Sequence, residues 1–322
     1  AYSASVSQVP IPPPPTPPQP SIPAETILAV MDIPALTDNG DMLSYYAGMS
    51  GVNDNWTGSA LQQSLDGGDS FGTVTTTGLN AIMGVLLEPV RDAAPYYTDT
   101  TNAVVVQLYT ADELDSRSME AFLSQGGAFA LSWDSSDGRQ WELMQFRDAE
   151  QIGDKTYRLT YLTRGRKDTS TAGHDAGALF VLLDSSILRV SAQSAWIGTD
   201  MLHRAVSNGL TPDGAEIVET QYEGHSQREW PVAQLTLDLV GSTLTATAVP
   251  RHRFGTSAHP VRSVNWQGYR WTVTDGANTT TREGIAESET FDVSGWSAPI
   301  SVSVAQVNRI TGPGPSVTED IE

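Results

Sequence analysis

The chain has 322 residues, no cysteine, and 38 acidic against 18 basic side chains, for a net charge of −20. That length allows two or three domains, each with its own core, while the missing thiols exclude disulfides, thiolate metal sites and a Cys nucleophile. The charge also argues against nucleic acid as a partner, because holding a phosphate backbone takes clustered Lys and Arg.

In chain order, the opening "AYSASVSQVP" has neither a basic region nor an apolar core, and the longest apolar run, "ALFVLL" at 178–183, is far too short to cross a bilayer. No secretion signal and no membrane anchor are therefore expected. "VPIPPPPTPPQPSIP" (Val9 to Pro23) has fixed φ and few amide donors, so residues 1–25 read as an extended polyproline strap or linker. Strand-like runs follow: "ETILAVMDIPAL", "NAVVVQLYT", "AFALSW", "WELMQF", "YRLTYLT", "ALFVLLD", "STLTATAV", "YRWTVTDG" and "ISVSVAQV". They are short, rich in β-branched and aromatic residues, and bounded by turn formers, which predicts an all-β chain of sandwiches or barrels. Only "DELDSRSMEAFLSQGG" has room for a helical turn or two, with Asp112 as its expected N-cap.

A composition shift at Trp230-Pro231 divides the rest. Residues 26–231 read as a β-rich region, one domain or two interleaved, and pairing of "ILAVMDIPAL" with "ALFVLLD" would favour one. Residues 232–322 read as a fibronectin type III-like sandwich. There Leu244, Ala246 and Ala248 form one predicted inward face, Ile300, Val302, Val304 and Gln306 another, and Asp275-Gly276 predicts a hairpin.

Candidate chemistry is thin. "SLDGGDSF" (Ser64 to Phe71) fits an Asp-box hairpin in which Asp66 caps amides, Gly67 and Gly68 take positive φ, and Phe71 packs beneath; without blade repeats it reads as structural. The five histidines (174, 203, 225, 252, 259) lack metal-ligand spacing, and "GHS" at 224–226 carries no signal. "DNGD" (38–41) and "DSSDG" (134–138) read as solvated turns rather than Ca²⁺ loops. Asn55 and Asn278 are glycosylation acceptors only in a secretory setting. Arg158, Arg164, Arg166 and Lys167 crowd into ten residues of "YRLTYLTRGRKDTSTAGHDAGALFVLLD". Tyr157, Leu159 and Tyr161 alternate with Arg158, Thr160 and Leu162 as a strand that delivers Arg164 and Arg166 to a turn. With no nucleophile or base beside it, that turn reads as architectural rather than as an anion-binding catalytic loop, its arginines paired with carboxylates of this chain or of a neighbouring subunit.

The segment Trp141 to Asp184, with "WELMQF", a strand ending in "LTRGR", and "GHDAG" leading into "FVLLD", resembles the large tail-tip or baseplate hub (megatron-type) proteins of gene transfer agents and related tailed phages. "MDIPALTD", "NWTGSALQQSLDGGDSF" and "VVVQLYTADELDSRS" upstream, and "RHRFG", "GYRWTVTDG" and "VSVAQVNRITGPGPS" downstream, are similar to further pieces of the same proteins. Asp168, Thr169 and Ser170 stand where that family tends to have Gly-Thr-Glu. The TIM-barrel-like region of longer members has no counterpart here, so the resemblance implies no hydrolase activity.

What it implies is a virion structural protein of the distal tail tip, assembled in the host cytoplasm. It would be a homotrimer that contacts other tail-tip, baseplate and tail-tube proteins and, through them or directly, a host surface receptor or glycan. No enzyme activity, catalytic residue, cofactor or metal is assigned. The alternative is a carbohydrate-binding or glycan-active β protein using exposed aromatics such as Trp196, Trp266 and Trp296. A third possibility, an adhesin, would call for more than one fibronectin-like repeat.

Overall fold

The computed structural model describes residues 23–37, 41–95, 97–124, 126–132, 140–256 and 259–322. The proline-rich strap up to residue 22, and the segments 38–40 and 133–139 that contain most of "DNGD" and all of "DSSDG", lie outside these.

The first four strands are β1 (Thr26–Met31), β2 (Ser44–Gly51), β3 (Ser59–Ser64) and β4 (Gly72–Thr77). The chain then makes β5 (Met83–Leu86), β6 (Thr98–Asp99), β7 (Val104–Leu108), helix α1 (Met119–Leu123), β8 (Ala128–Ser132), β9 (Trp141–Gly153), β10 (Thr156–Thr163) and β11 (Leu179–Leu182). It returns with β12 (Leu188–Ser191), β13 (Thr199–Ser207) and β14 (Ile217–Tyr222). Two open sheets, β1-β2-β12 and β14-β13-β3-β4, are thus built from strands on both sides of the β5–β11 stretch.

β5 to β11 form a ring. The order β10-β7-β5-β11-β8-β9 closes on itself because β9 and β10 also pair, Tyr157 opposite Gln151 and Leu162 opposite Phe146, while β6 extends the far end of β10. Closure leaves the six ring strands without a free edge. The interior is filled by Val104, Val106, Phe129, Phe146, Leu159 and Phe180 among others, with Phe129 5.1 Å from Phe180 and 6.0 Å from Phe146 between ring centroids. Each such phenyl ring contributes about 1.5–3 kcal/mol by leaving water.

The sheet β1-β2-β12 is a middle layer. Leu28, Val30, Tyr45, Ala47 and Met49 face the β14-β13-β3-β4 sheet and meet Leu61, Met201, Ala205 and Tyr222 there. Ala29, Met31 and Tyr46, on the opposite face, pack against Met83, Ala130, Trp141, Leu143 and Val181 of the barrel. "ILAVMDIPAL" and "ALFVLLD" therefore do not pair as strands, but they share a core through Met31 and Val181.

The last sandwich comprises β15 (Gln234–Val240), β16 (Thr243–Val249), β17 (Phe254–Thr256), β18 (His259–Val261), β19 (Trp266–Thr274), β20 (Thr279–Gly284), β21 (Ser288–Asp292), β22 (Ile300–Asn308) and β23 (Gly312–Ile321). The sheets β15-β16-β21 and β20-β19-β22-β23 enclose Leu244, Ala246, Ala248, Trp271, Val302 and Val304, with the short β17-β18 hairpin set apart. This three-on-four antiparallel arrangement is the fibronectin type III-like architecture expected, and both predicted inward faces point in, including the fully buried Gln306. Asp275 and Gly276 turn the chain between β19 and β20, Gly276 at φ 88°.

Local expectations differ at two places. The helix is capped by Ser118, whose hydroxyl accepts from the Ala121 amide, whereas Asp112 accepts from the Thr110 hydroxyl and from Asn80 Nδ2 at 3.3 Å. The inward alternation of β10 breaks at Tyr161, which has φ 58°; Leu162 takes the inner position and Tyr161 lies outside beneath Arg147, 3.7 Å from guanidinium to ring centroid.

Candidate functional site: the junction around the 164–170 loop

The basic turn after β10 proves to be the place where all parts of the chain meet. Its first residue, Arg164, is drawn wholly inside. Nε and Nη2 donate to the two oxygens of Glu142 on β9 at 2.7 and 2.8 Å, and Nη1 donates to the Arg91 carbonyl at 2.9 Å. Glu142 also accepts the Gly165 amide at 2.8 Å and touches His174 Nε2 at 2.7 Å, and His174 Nδ1 donates to the Ser132 carbonyl at 2.7 Å. The three side chains are 0 % exposed. A buried bidentate pair of this kind fixes geometry more than it adds net stability, because desolvation offsets most of the attraction. Asp99 lies 3.6 Å from Arg164 Nη1. Burial raises its carboxyl, but the Asn102 amide and side chain, the Thr101 amide and the Arg164 charge together outweigh that and hold it below the usual carboxylate range. The expected pairing with the chain's own carboxylates holds for Arg164, whereas Arg166 pairs with none of the described residues.

The next residues reach outward. Gly165, Lys167 and Asp168 have φ of 59, 52 and 67°. Two adjacent non-glycine residues in the left-handed region represent stored strain that the surroundings must hold. Lys167 Nζ donates to the Ala35 carbonyl at 2.6 Å, beyond β1, and Asp168 meets Arg251 at 2.9 Å, beyond β16.

Beside this loop lies a cleft of about 480 Å³ whose lining comes from distant parts of the chain: Asp32, Trp141, Lys167, His225, Trp230 and Pro315 among others. Asp32 organises its floor by accepting the amides of Glu223, Gly224 and His225 at 2.7, 2.9 and 3.0 Å. His225 bonds the Asp32 carbonyl through Nδ1 at 3.0 Å and faces Glu223 at 3.2 Å and Arg228 at 3.3 Å. Burial lowers its pKa, but Asp32 and then Glu223 outweigh burial and the Arg228 charge, so the net direction is up. Sequence reasoning dismissed "GHS", and Asp32 lies 193 residues from His225, a distance at which no spacing signal exists.

Below the cleft, Arg253 joins Asp41 at 3.0 Å and Glu229 at 3.2 Å with its side chain 5 % exposed. Asp41 also accepts the Ser263 hydroxyl at 2.7 Å and the Val264 amide at 2.6 Å, and Glu229 accepts from Asn308 at 2.8 Å. Asp41, expected in a solvated turn, is thus a buried clamp onto the last sandwich.

The remaining sequence candidates stay apart. In the Asp-box turn between β3 and β4, Asp66 accepts the Ser64 hydroxyl at 2.6 Å and the Ser70 amide at 3.0 Å, and Gly67 and Gly68 have φ 74 and 100° as expected. Hydrogen bonds from Ser64 and Ser70 depress its pKa. Phe71 stacks under Arg204, 4.0 Å away. Trp196, Trp266 and Trp296 are half-buried rather than exposed, each packed on a core and Trp266 donating to Gln306 at 3.1 Å. His203 sits in the core of the first sandwich at 0 % exposure, 5.2 Å from the Tyr45 ring. Among the described residues no group of three or more His, Asp or Glu is placed to hold a metal ion, and no helix is long and apolar enough to cross a membrane.

Residues 81–181 match the family model described as "Rcc01698-like, C-terminal", a gene-transfer-agent- and phage-associated family. The matched stretch is the barrel: it begins two residues before β5 and ends within β11. No curated protein matches the chain. Among solved structures, the chicken CNTN1 FN1-FN3 domains align over 94 % of this chain and 99 % of theirs at 11 % identity and TM-score 0.25. A two-domain fibronectin type III segment of chicken tenascin aligns over 74 % and 99 % at 9 % identity and TM-score 0.25. Likeness at that level carries no argument, and the fibronectin-like character of the last sandwich rests on its own sheet order.

Proposed function

We propose that this protein is a structural component of the tail tip or baseplate of a phage or phage-like particle. In this reading it forms part of the distal hub as a homotrimer, contacts neighbouring tail proteins and contributes to host attachment. The observation that carries the reading is the coincidence of the family match with one closed barrel. The basic loop of that barrel supports it further, since three of its charged side chains are spent on ties within the chain: Arg164 on Glu142, Lys167 on Ala35, Asp168 on Arg251. A framework that fixes β modules against one another suits a part of a particle that must hold its shape.

The test is the mass of the purified protein by light scattering, together with immunolabelling of intact particles. The expected result is three chains per particle in solution and label confined to tail tips. A monomer whose antibody leaves particles unlabelled would overturn the reading, and a glycan array would then examine the carbohydrate-binding alternative.

A further inference from the structure

The same loop carries a second guanidinium of a different kind. Arg166 lies two residues beyond Arg164, yet its side chain makes no hydrogen bond or ion pair with any described residue. Burial alone acts on it, pushing its pKa down, with no carboxylate to counter the effect. It lines a cavity of about 400 Å³ whose walls include Leu36, Tyr46, Leu143, Met144 and Ile187. Lys167 and Arg189 also line the cavity, so three of the chain's 18 basic residues are gathered there. Lys167 donates to the Ala35 carbonyl, and Arg189 donates to the Ser44 hydroxyl at 3.1 Å and the Met42 carbonyl at 3.3 Å. The acid on the rim, Asp184, is turned to the amide and hydroxyl of Ser186 at 2.8 and 2.5 Å. A guanidinium placed among apolar walls without a counter-ion is costly. No described residue supplies one, although the chain has twice as many acids as bases.

We propose that this cavity binds a carboxylate carried on a short apolar body, with Arg166 as the fork that receives it. The planar donors of Arg match the two oxygens of a carboxylate, and the walls of Leu36, Leu143 and Ile187 suit a hydrocarbon chain. A dianion such as phosphate fits less well, because the neighbouring cations already have partners and Asp184 opposes a second negative charge. The carboxylate could be that of a small organic acid or the C-terminal carboxylate of a neighbouring polypeptide. Only the second source rests on the tail-tip reading; the site itself does not.

The experiment is isothermal titration of the full chain with sodium hexanoate, hexan-1-ol, inorganic phosphate, and the peptide acetyl-Ala-Leu as free acid and as amide. Hexanoate is expected to saturate while hexan-1-ol and phosphate do not. A free-acid peptide that binds more tightly than hexanoate, with its amide silent, identifies a neighbouring chain as the source; hexanoate alone binding identifies a small acid. Arg166→Gln is expected to weaken hexanoate by roughly tenfold or more, with Arg166→Lys between. Its Tm should not fall, since no bond is lost. Intermolecular NOEs from hexanoate to the Ile187 methyls place the ligand without any variant. Failure of both carboxylates to saturate, affinities for parent and Arg166→Gln within about twofold, displacement by phosphate, or a lowered Tm for Arg166→Gln overturns the proposal. Tail labelling can fail while hexanoate still binds, so the two readings fail separately.

Discussion

Glu142 holds an arginine, a histidine and a backbone amide at once, all out of contact with water. Removing its charge leaves the buried Arg164 with only the more distant Asp99, 3.6 Å away, as a counter-ion, so Glu142→Gln should cost about 3–5 kcal/mol in urea unfolding. A loss under about 1 kcal/mol would show that the pair is dispensable. The two other informative histidines titrate with opposite signs. Burial pushes His203 down to about 4, whereas the unfolded side chain titrates near 6.5. Between those values the unfolded chain binds a proton that the native chain refuses. Stability is therefore complete above roughly pH 6.5 and declines as the pH falls toward 4, by at most about 3 kcal/mol. His225 is raised, so its contribution is complete below the unfolded value and is lost as the pH rises through the folded one. In a series of urea midpoints against pH, His203→Leu should flatten the acid limb and His225→Gln the alkaline limb. Unchanged slopes would contradict both assignments. None of this was legible in the sequence, because His203 owes its behaviour to burial in a folded core and His225 to Asp32, and only folding supplies either.

At the scale of elements, the nine strand runs marked by β-branched and aromatic residues are all strands. What escaped is instructive. "SYYAGMSG" in β2 is buried on both faces, Tyr45 toward one sheet and Tyr46 toward the barrel, so it shows no polar-apolar alternation. The edge strand β4, "GTVTTT", is exposed and has no core face to display. Tyr161 looked inward by parity, but its left-handed backbone shifts the pattern by one residue. Gly84 in β5 has a reason of its own. A Cβ there would lie 2.4 Å from the Gln107 carbonyl and 2.9 Å from Val106, on the strand it pairs with. Gly84→Val should therefore wedge β5 from β7 and cost about 1–3 kcal/mol, with amide exchange accelerated in those two strands first. Protection unchanged in β5 and β7 would refute the close-packing argument.

For the whole molecule, three polar ties set the arrangement of parts: Asp32 to residues 223–225, Arg253 to Asp41 and Glu229, and Asp168 to Arg251. Partners in the first two come from opposite ends of the chain, which is why the sequence displayed strands and a fibronectin-like end but not the cleft between them. Arg253→Met strands two buried carboxylates and should destabilise the junction by about 3–5 kcal/mol. The expected readout in calorimetry is a single transition that splits, the last sandwich melting separately, together with new proteolytic cleavage near Trp230. One unsplit transition would mean that apolar contacts alone join the sandwich to the rest.

The barrel leaves and rejoins the chain at nearly one point, since the Leu182 amide donates to the Ile82 carbonyl at 2.9 Å. A load applied between the two ends of the polypeptide therefore runs through the sheets that flank this point. The barrel hangs from that path like a closed ring on a cord, and a pull along the backbone unravels its strands only after the bond between Ile82 and Leu182 and the ties of Lys167 to Ala35 and Asp168 to Arg251 have parted.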